Sequence, residues 1–493
     1  MTDETARVRP LTGDETTPPR RPPRFPLTIA VLVIGILVGW AVASLTRGSS
    51  GDDFVSGEAN ADTADDSAGP VSVTWAQASS VPPFPVGMDY AGATSPVELG
   101  GRIYVVTRFE DTAAGTTSNE LWSSGDGLTW QTEPIRLDDG AAVTDLVATT
   151  TGLILSGSLG DHFAMWHSLP GRAVDGGSFT PVAVAVPDEI TVLYGGTAVN
   201  EVGEIVTVVI GDFPVWREAI APYIPDEVDP QDRGLSYYLD SVYSQQIPTP
   251  IAVFDTTPEV VVTSDAVWVR LTTPEDEQIL RTYDLPEGAF PVETTPDLGA
   301  VRVGFSWRSS NGVDFLPVES GSALPDGYFL PLAWQDGFIT AGYEQENSFA
   351  PFENIRLWNS NTGRAWQPAD SQPPPQCVRF ELATSSDRIL LTGDDGTRCV
   401  GTAGGTWTVL SDPGSVTYAV GGQAGFIGYR SRFVRANAMF SSDGLHWSEI
   451  EIPGNDPYPT VAPLHDRLVM LSVAGATPSE PAHIDIWIGS IGG

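Results

Sequence analysis

The sequence predicts an all-β protein, a β-propeller of seven blades, preceded by one N-terminal transmembrane helix. A glycine turn followed by an aromatic residue recurs six times, and short strand-like segments lie between the copies. Repeats of about 40 to 50 residues that each hold four strands are typical of propeller blades. An uncharged run near the N-terminus predicts the helix.

The N-terminal 70 residues divide into three segments: an Arg-rich tail (1–24), an uncharged apolar run (25–45) and an acidic linker (46–70) that we expect to be disordered. A helix over 25–45 is long enough to cross a hydrocarbon core of about 30 Å. Because the arginines precede it, the N-terminus should stay in the cytoplasm. We therefore expect a single-pass cell-membrane protein with an extracellular C-terminal domain. The alternative is secretion after cleavage behind Ala41-Val42-Ala43.

The composition limits the partners of the exported domain. The chain of 493 residues carries 25 basic and 63 acidic residues, a formal net charge of -38. This charge repels nucleic acid and anionic lipid, so neither is expected as a partner of the domain. In an oxidising compartment the two cysteines, Cys377 and Cys399, are expected to form a disulfide, with two buried free thiols as the alternative.

The recurring turn has the form Gly-x-x-Trp/Phe. A glycine at a fixed offset before an aromatic residue lets one turn residue adopt a positive φ, and the aromatic residue then begins the next strand. The six pairs are Gly127 and Trp130, Gly176 and Phe179, Gly312 and Phe315, Gly363 and Trp366, Gly404 and Trp407, and Gly444 and Trp447. Successive aromatic residues are 49, 136, 51, 41 and 40 positions apart, so each ordinary interval corresponds to one blade.

The long interval leaves the number of blades open. Residues 214–298 interrupt one unit between strand-like segments at 204–213 and 301–310. As an insertion within the propeller they give seven blades, which we predict. As a full blade with a degenerate turn they give eight.

The last unit lacks its fourth strand. Three strand-like segments follow Trp447 before the sequence reaches Gly493. The segment "VSVTWAQAS" at 71–79 supplies a strand, with Trp75 as its aromatic anchor. We therefore expect a propeller over residues 71–493 whose two ends share one blade. A ring closed in this way leaves few free sheet edges.

The turns resemble the Asp-box, or BNR, repeat of sialidase-like β-propellers, whose pattern is Ser-x-Asp-x-Gly-x-Thr-Trp. The copies nearest to it contain Ser124, Asp126, Gly127 and Trp130, and Ser441, Asp443, Gly444 and Trp447. In both copies glycine follows the aspartate directly, one residue closer than in the family. The resemblance covers residues 71–493 and implies a propeller in which the repeat is a structural turn. It implies no particular activity, because such propellers serve hydrolases, assembly factors and receptors alike.

No catalytic, cofactor-binding or metal-binding residue is identified. Sialidases need three arginines that converge on a substrate carboxylate. Here Arg102, Arg388 and Arg467 each begin a second strand, at the end of the propeller opposite the usual ligand face, and we predict structural roles for them. None of the five histidines stands at ligand spacing with a second ligand, so no zinc site is expected.

The loops that join second to third strands open on the face where propellers usually bind partners, and a glycan or a protein is the expected partner there. One of these loops carries Arg430, Arg432 and Arg435. Two guanidinium groups on one strand face would bind a carboxylate, phosphate or sulfate. The alternative is that the arginines pair with acids of the insertion. Two functions stay open: a membrane-anchored binding scaffold without catalysis, and a divergent sialidase-like glycoside hydrolase.

Overall fold

The computed structural model describes residues 71–492 apart from the gaps 112–113, 134, 161, 169–178, 216–258, 263–265, 272–278, 296–299, 319–329, 345–353, 378–379, 394, 403–404, 412–415, 431–436, 455, 457–458 and 475–482. The predicted tail, anchor and linker (1–70) lie outside the described residues, as does Gly176. Within the described part of the chain, no helix is both long and apolar enough to span a membrane.

The described residues form 33 strands. The first eleven are β1 (Ser72–Gln77), β2 (Asp89–Ala93), β3 (Val97–Leu99), β4 (Arg102–Asp111), β5 (Thr116–Ser124), β6 (Gln131–Glu133), β7 (Ala141–Ala148), β8 (Leu153–Leu159), β9 (His162–Ser168), β10 (Phe179–Pro181) and β11 (Thr191–Val199). The next eleven are β12 (Ile205–Pro214), β13 (Glu259–Val262), β14 (Ala266–Leu271), β15 (Ile279–Asp284), β16 (Phe290–Thr295), β17 (Ala300–Ser309), β18 (Leu316–Pro317), β19 (Leu332–Trp334), β20 (Gly337–Glu344), β21 (Asn354–Ser360) and β22 (Gln367–Pro368). The last eleven are β23 (Phe380–Thr384), β24 (Arg388–Gly393), β25 (Thr397–Thr402), β26 (Trp407–Ser411), β27 (Tyr418–Gly422), β28 (Gly425–Tyr429), β29 (Asn437–Ser441), β30 (Ser448–Glu451), β31 (Thr460–Pro463), β32 (Arg467–Ala474) and β33 (His483–Gly492).

Seven antiparallel sheets form the blades of a propeller, which confirms the prediction of an all-β fold with seven blades. Blades 1 to 7 comprise β2–β6; β7–β10; β11, β12 and β16–β18; β19–β22; β23–β26; β27–β30; and β31–β33 with β1. The first strands of neighbouring blades contact one another, as β7 contacts β11 and β23 contacts β27. They therefore border a common central channel. β13–β15 form a separate three-stranded sheet, named here the insertion sheet.

The first strand of the domain belongs to the last blade. β1 pairs antiparallel with β33, with Trp75 opposite Gly489 and Gln77 opposite Trp487. The side-chain amide of Gln77 also donates to Asp485 Oδ1 at 2.9 Å. The outer edge of blade 7 is therefore formed by the segment that enters the domain from its N-terminal side.

Three turns between third and fourth strands share one hydrogen-bond pattern. In blade 1 the amide of Gly127 donates to Ser124 Oγ at 2.8 Å, and the amides of Leu128 and Thr129 each donate to Asp126 Oδ1 at 2.8 Å. Blade 6 repeats these contacts with Ser441, Asp443, Gly444, Leu445 and His446, and blade 3 repeats them with Ser309, Asn311, Gly312, Val313 and Asp314. Because one side-chain oxygen accepts two amides, the turn is closed by its own residues.

These hydrogen bonds also change the acidity of the turn carboxylates. The amides of Thr129 and Leu128 lower the pKa of Asp126 below its ordinary value. Burial by itself would raise the pKa of Asp443, but hydrogen bonds from His446 and Leu445 outweigh it and the pKa is lowered. Both turns therefore favour the ionised carboxylate.

The glycine of these turns is required by φ, and in blades 1 and 4 also by space. Gly127, Gly312, Gly363 and Gly444 have φ of 76°, 72°, 69° and 76°. A Cβ on Gly127 would lie 2.6 Å from the side chain of Ile488 in blade 7, and one on Gly363 would overlap Val206 in blade 3. Each of these turns therefore packs its backbone directly against the preceding blade, which explains why the motif recurs.

The aromatic residue after the turn anchors the outer edge of its blade. The indole N–H of Trp130 donates to the carbonyl of Gly127 at 2.7 Å, and Trp447 does the same to Gly444 at 2.8 Å. In blade 5 the indole N–H has a different acceptor, because that of Trp407 donates to Ser371 Oγ at 3.0 Å. In that turn Gly405 has the positive φ, 82°, while the predicted Gly404 lies outside the described residues.

The described part of the insertion packs on blade 3 through one face of the insertion sheet. Val267 and Val269 of β14 are fully buried and belong to the same hydrophobic cluster as Val303 of β17. Trp268 and Arg270 alternate with them and are exposed. The alternation is that of a sheet with one buried and one exposed face.

The end of the predicted insertion belongs to the blade itself. β16 lies within the range 214–298, yet it pairs with β17 from Phe290 opposite Gly304 onward. The ring of Phe290 occupies the space that a side chain at position 304 would fill. The last strand of the predicted insertion thus extends blade 3 at its outer edge.

Cys377 and Cys399 form the predicted disulfide. Both cysteines are buried in a hydrophobic cluster that contains Leu357 of blade 4 and Leu391 of blade 5. Cys377 lies in the connection between these blades, and Cys399 lies in β25, directly opposite Leu391. The bond therefore ties an inter-blade connection to the third strand of blade 5.

Candidate functional site

The two ends of the propeller carry different connections. Strands of a blade alternate in direction, so the loops from second to third strands lie at one end, together with the insertion between β12 and β17. We call it the insertion end. The turns that contain Asp126 and Asp443 lie at the opposite end, which we call the turn end. First strands begin at the insertion end.

Three neighbouring first strands are irregular. β2, β7 and β11, in blades 1, 2 and 3, each contain a bulge, at Ala91, Thr144 and Leu193 respectively. The first strands of blades 4 to 7 pair with their second strands in unbroken register. Bulges bend a strand and redirect its side chains, and they are frequent beside functional sites. The part of the channel border formed by β2, β7 and β11 is named here the bulged wall.

Arg108 reaches the bulged wall from the second strand of blade 1. Its partner on β2 is Gly92, and a Cβ at that position would lie 3.9 Å from Arg108 Nη2. Because glycine has no side chain, the guanidinium extends across the first strand. Arg108 Nη2 donates to the carbonyl of Ala91 at 3.1 Å, and Nε lies 3.8 Å from Glu110 Oε1. These contacts fix the guanidinium while leaving about a fifth of the side chain exposed.

Tyr90 lies beside this guanidinium on β2. Its ring stacks on Phe84 with centroids 6.2 Å apart and meets the ring of Phe109 at a steep angle. Burial raises the pKa of Tyr90 to about 12, helped by the negative charge of Asp456 in the connection to blade 7 and opposed by Arg108. The phenol therefore stays neutral at ordinary pH and is able to donate and accept hydrogen bonds.

Asp145 follows the bulge of β7 and joins two blades. Its Oδ1 accepts the amide of Leu146 at 2.9 Å. Burial raises the pKa of Asp145, although hydrogen bonds from the amides of Leu146 and of Thr197 on β11 lower it. A carboxyl group of raised pKa on a first strand therefore joins blade 2 to blade 3.

Tyr194 follows the bulge of β11 and is the exposed aromatic residue of that strand. Its relative exposure is 42 %, whereas Gly195 beside it is half-buried. A Cβ on Gly195 would lie 2.9 Å from the ring of Phe163, so the backbone of β11 sits tightly against blade 2 at this point. The backbone that carries Tyr194 is therefore held in place.

The strands of the bulged wall thus carry a carboxyl acceptor (Asp145) and two phenol rings (Tyr90 and Tyr194), and the guanidinium of Arg108 on β4 reaches over β2. Such a set can hydrogen-bond to a polar ligand and also pack against its apolar faces. Among the described residues, no group of three or more His, Cys, Asp and Glu side chains is arranged to hold a metal ion.

The predicted arginine fork is described only at its first residue. β28 ends at Tyr429, and Arg430 directly follows it with Nη2 2.6 Å from Glu449 Oε1 on β30. Arg432 and Arg435 lie outside the described residues. Arg430 therefore pairs within its own blade, and an anion site shared with Arg432 stays a prediction.

The three arginines that begin second strands lie at the turn end and have local partners. Arg102 donates to Ser123 Oγ at 2.6 Å, Arg388 lies 3.6 Å from Asp387, and Arg467 lies 2.6 Å from Asp466. These contacts support local structure around the turns.

Sequence reasoning did not find the bulged wall. Arg108 lies in a second strand, and a second strand is separated from the channel by the first. Gly92, the residue opposite Arg108 on β2, is the signal that would have shown where this side chain extends. The pairing of the two residues is known only once the register of β2 and β4 is known. The bulges that precede Asp145 and Tyr194 likewise depend on the partner strand, because the extra residue exists only relative to it.

No protein-family model matches the chain, and no curated protein matches it. Among the similar solved structures is an acylaminoacyl peptidase from Pyrococcus horikoshii, with 12% identity, 81% of this chain and 51% of that chain covered, and a TM-score of 0.40. An α-L-arabinofuranosidase from Fusarium graminearum bound to an iminosugar inhibitor and an α-L-arabinanase from Penicillium chrysogenum bound to arabinobiose each show 11% identity, 85% and 97% coverage, and a TM-score of 0.33. The chain spans about half the length of the peptidase. At these identities the likeness is one of fold alone.

Proposed function

We propose that the protein is a membrane-anchored extracytoplasmic β-propeller that acts as a binding scaffold for a glycan or a protein. Residues 25–45 hold it in the cell membrane with the N-terminus in the cytoplasm and residues 71–493 outside. In the alternative, cleavage behind Ala43 releases the same domain. A net charge of -38 favours neutral or basic ligands over acidic ones.

One observation carries this proposal, the exposed face of the insertion sheet. Val267 and Val269 anchor β14 on blade 3, so the position of the sheet is fixed by the propeller. On the opposite face Trp268 is 38 % exposed, and Arg270 and Thr282 are exposed near it. Tryptophan and arginine are the side chains that contribute most at protein interfaces. A rigid frame that displays them at the insertion end supports a binding role.

The test is capture of partners by the full-length protein on intact cells after cross-linking. Trp268→Ala should reduce the captured partner about tenfold, as loss of an interface tryptophan does. Val409→Ala is the matched control, because Val409 is 37 % exposed on the outer strand of blade 5. Equal capture by both variants would contradict the assignment of the insertion end as the binding end.

A second function, divergent glycoside hydrolysis, is favoured by Asp145. A carboxyl group whose pKa is raised by burial is what a general acid requires, and glycosidases pair such an acid with a second, ionised carboxylate. Purified full-length protein should be tested against chromogenic glycosides. Turnover that disappears in Asp145→Asn would replace the scaffold proposal with hydrolysis, whereas absence of turnover across the panel would leave binding as the function.

A further inference from the structure

We propose that Asn311, in the turn between β17 and β18, is a site of spontaneous deamidation. The closed turn suppresses the reaction, and the product keeps the turn from closing again. This inference goes beyond the binding function and concerns the chemistry of one turn. Of the asparagines in the sequence, only Asn311 is followed by glycine. Its side chain is exposed, so water reaches it.

The reaction needs no partner other than water. The backbone nitrogen of Gly312 attacks Cγ of Asn311, the Cγ–Nδ2 bond breaks, and ammonia leaves with the proton of that backbone nitrogen. Water then opens the resulting succinimide at one of its two carbonyls and leaves either aspartate or isoaspartate at position 311. Glycine permits the first step because it has no Cβ beside the attacking nitrogen and because its backbone adopts many conformations.

In the closed turn the three polar atoms that take part are each held by hydrogen bonds. The amide of Gly312 donates to Ser309 Oγ at 2.9 Å, which fixes the attacking nitrogen. Asn311 Oδ1 accepts the amides of Val313 and Asp314, both at 2.9 Å. Asn311 Nδ2 donates to Asp314 Oδ2, also at 2.9 Å. Because ring closure requires the side-chain amide to rotate onto the attacking nitrogen, these bonds must break first.

The packing around the turn also opposes its opening. Gly312 is buried, and a Cβ on it would lie 3.6 Å from Ile154 in blade 2 and 3.6 Å from Ile205 in β12. Phe315, the aromatic residue after the turn, is buried in the hydrophobic cluster that also contains Val267 of the insertion sheet. Deamidation should therefore occur only in molecules whose turn has opened locally, and more slowly than in the unfolded chain.

An aspartate at position 311 would face the carboxylate of Asp314. Asn311 Nδ2 donates to that carboxylate, whereas two carboxylates at the same 2.9 Å would repel each other. The equivalent turns that do carry aspartate have a hydroxyl or an imidazole at this place: Thr129 Oγ1 is 3.4 Å from Asp126 Oδ2, and His446 Nδ1 is 2.8 Å from Asp443 Oδ2. The aspartate product therefore does not fit the blade 3 turn. Isoaspartate fits it still less, because it adds a methylene group to the main chain.

The first experiment follows conversion at position 311 by peptide mapping and mass spectrometry. The full-length protein is kept at neutral pH with and without denaturing urea. Conversion in the native protein should be at least about tenfold slower than in urea, because it requires local opening. Asn361 is the internal control and should not convert measurably, since it is exposed in the turn of blade 4 but is followed by Thr362.

Two variants test whether the closed turn provides this protection. Ser309→Ala removes the acceptor of the Gly312 amide and should accelerate conversion in the native protein. Ser441→Ala removes the same hydrogen bond from the blade 6 turn and is the matched control. It should leave the rate at position 311 unchanged.

The second experiment tests the effect of the product on stability. Asn311→Asp should lower the urea midpoint of the full-length protein, because it brings two carboxylates together. Adding Asp314→Thr should restore most of the loss, since the pair then copies Asp126 and Thr129 of blade 1. Asp314→Thr alone is the control for loss of the contact with Asn311.

Slow native conversion that Ser309→Ala accelerates, together with rescue of Asn311→Asp by Asp314→Thr, supports the inference. It is overturned if position 311 converts as fast in the native protein as in urea, or if it converts in neither. It is also overturned if Asn311→Asp is as stable as the wild type, or if Asp314→Thr does not rescue it.

Discussion

Trp75, near the start of the domain, lies directly opposite Gly489, near its end, and its ring fills the space where a side chain at 489 would stand. The same relation joins Trp407 to Gly401 in blade 5, where an aromatic residue of the fourth strand covers a glycine of the third. The contact that anchors the fourth strand of an ordinary blade thus also closes the ring.

Gly363→Ala should strongly destabilise the domain, because the added methyl group overlaps Val206 and also meets a positive φ. We expect a loss of about 2 to 4 kcal/mol in the free energy of unfolding. Gly160→Ala is the matched control, since Gly160 has φ of 63° but open space around it, and should cost about 1 kcal/mol. Urea unfolding of both variants measures the difference. Equal losses would mean that the turn does not pack on blade 3.

Replacing Cys377 and Cys399 together by alanine should lower the free energy of unfolding by about 3 kcal/mol, the value expected for a loop of this length. Both sulfurs are buried, so the native protein should resist mild reductants while the unfolded chain is reduced readily. Unfolding with and without reductant checks this. A wild type that reductant does not destabilise would contradict the bond.

The turn carboxylates should make stability fall in acid. The pKa of Asp126 and that of Asp443 are lower in the folded state than in the unfolded chain. Their contribution is therefore present above the unfolded value of about 3.9 and is lost as pH falls through the folded values. The double variant Asp126→Asn, Asp443→Asn imitates the neutral turn of Asn311 and should lose less stability between about pH 5 and pH 2 than the wild type. The free energy of unfolding of both proteins is measured over this pH range. Equal losses of stability in the double variant and the wild type would contradict the prediction.

The contribution of Asp145 to stability should change with pH in the opposite direction. Its folded pKa is raised, so the ionised form is disfavoured in the folded state, and the wild type should gain stability relative to Asp145→Asn as pH falls through that raised value. Denaturation midpoints of the wild type and of Asp145→Asn over the same pH series measure this gain. A relative loss in acid would mean that hydrogen bonds, and not burial, dominate around this carboxyl group.

The sequence predicted those parts of the fold that depend on local signals. The turn at Gly127 is closed by hydrogen bonds among its own residues, so its sequence pattern predicts it without knowledge of the rest of the fold. The seven blades follow from its repetition and from the interpretation of 214–298 as an insertion. The pairing of β16 with β17 was not predicted, because it is set by the fit of Phe290 over Gly304, which no local pattern reports.

The candidate site depends on distant contacts and was not predictable in the same way. Asp145 is placed by an amide on the neighbouring blade, that of Thr197, and Arg108 is placed by the absence of a side chain at Gly92. Both relations arise only after blades and registers are assembled. The arginine loop stood out in the sequence by composition, yet its one described member, Arg430, pairs with Glu449 of its own blade.

Amide hydrogen exchange of residues 72–77 in the full-length protein tests ring closure most directly. We predict that the amides of β1 that face β33 exchange as slowly as those of the second strand β32, and that Trp75→Ala accelerates exchange in β1 more than in β32. Exchange of β1 within seconds in the wild type, while β32 stays protected, would show that the N-terminal strand does not close the ring.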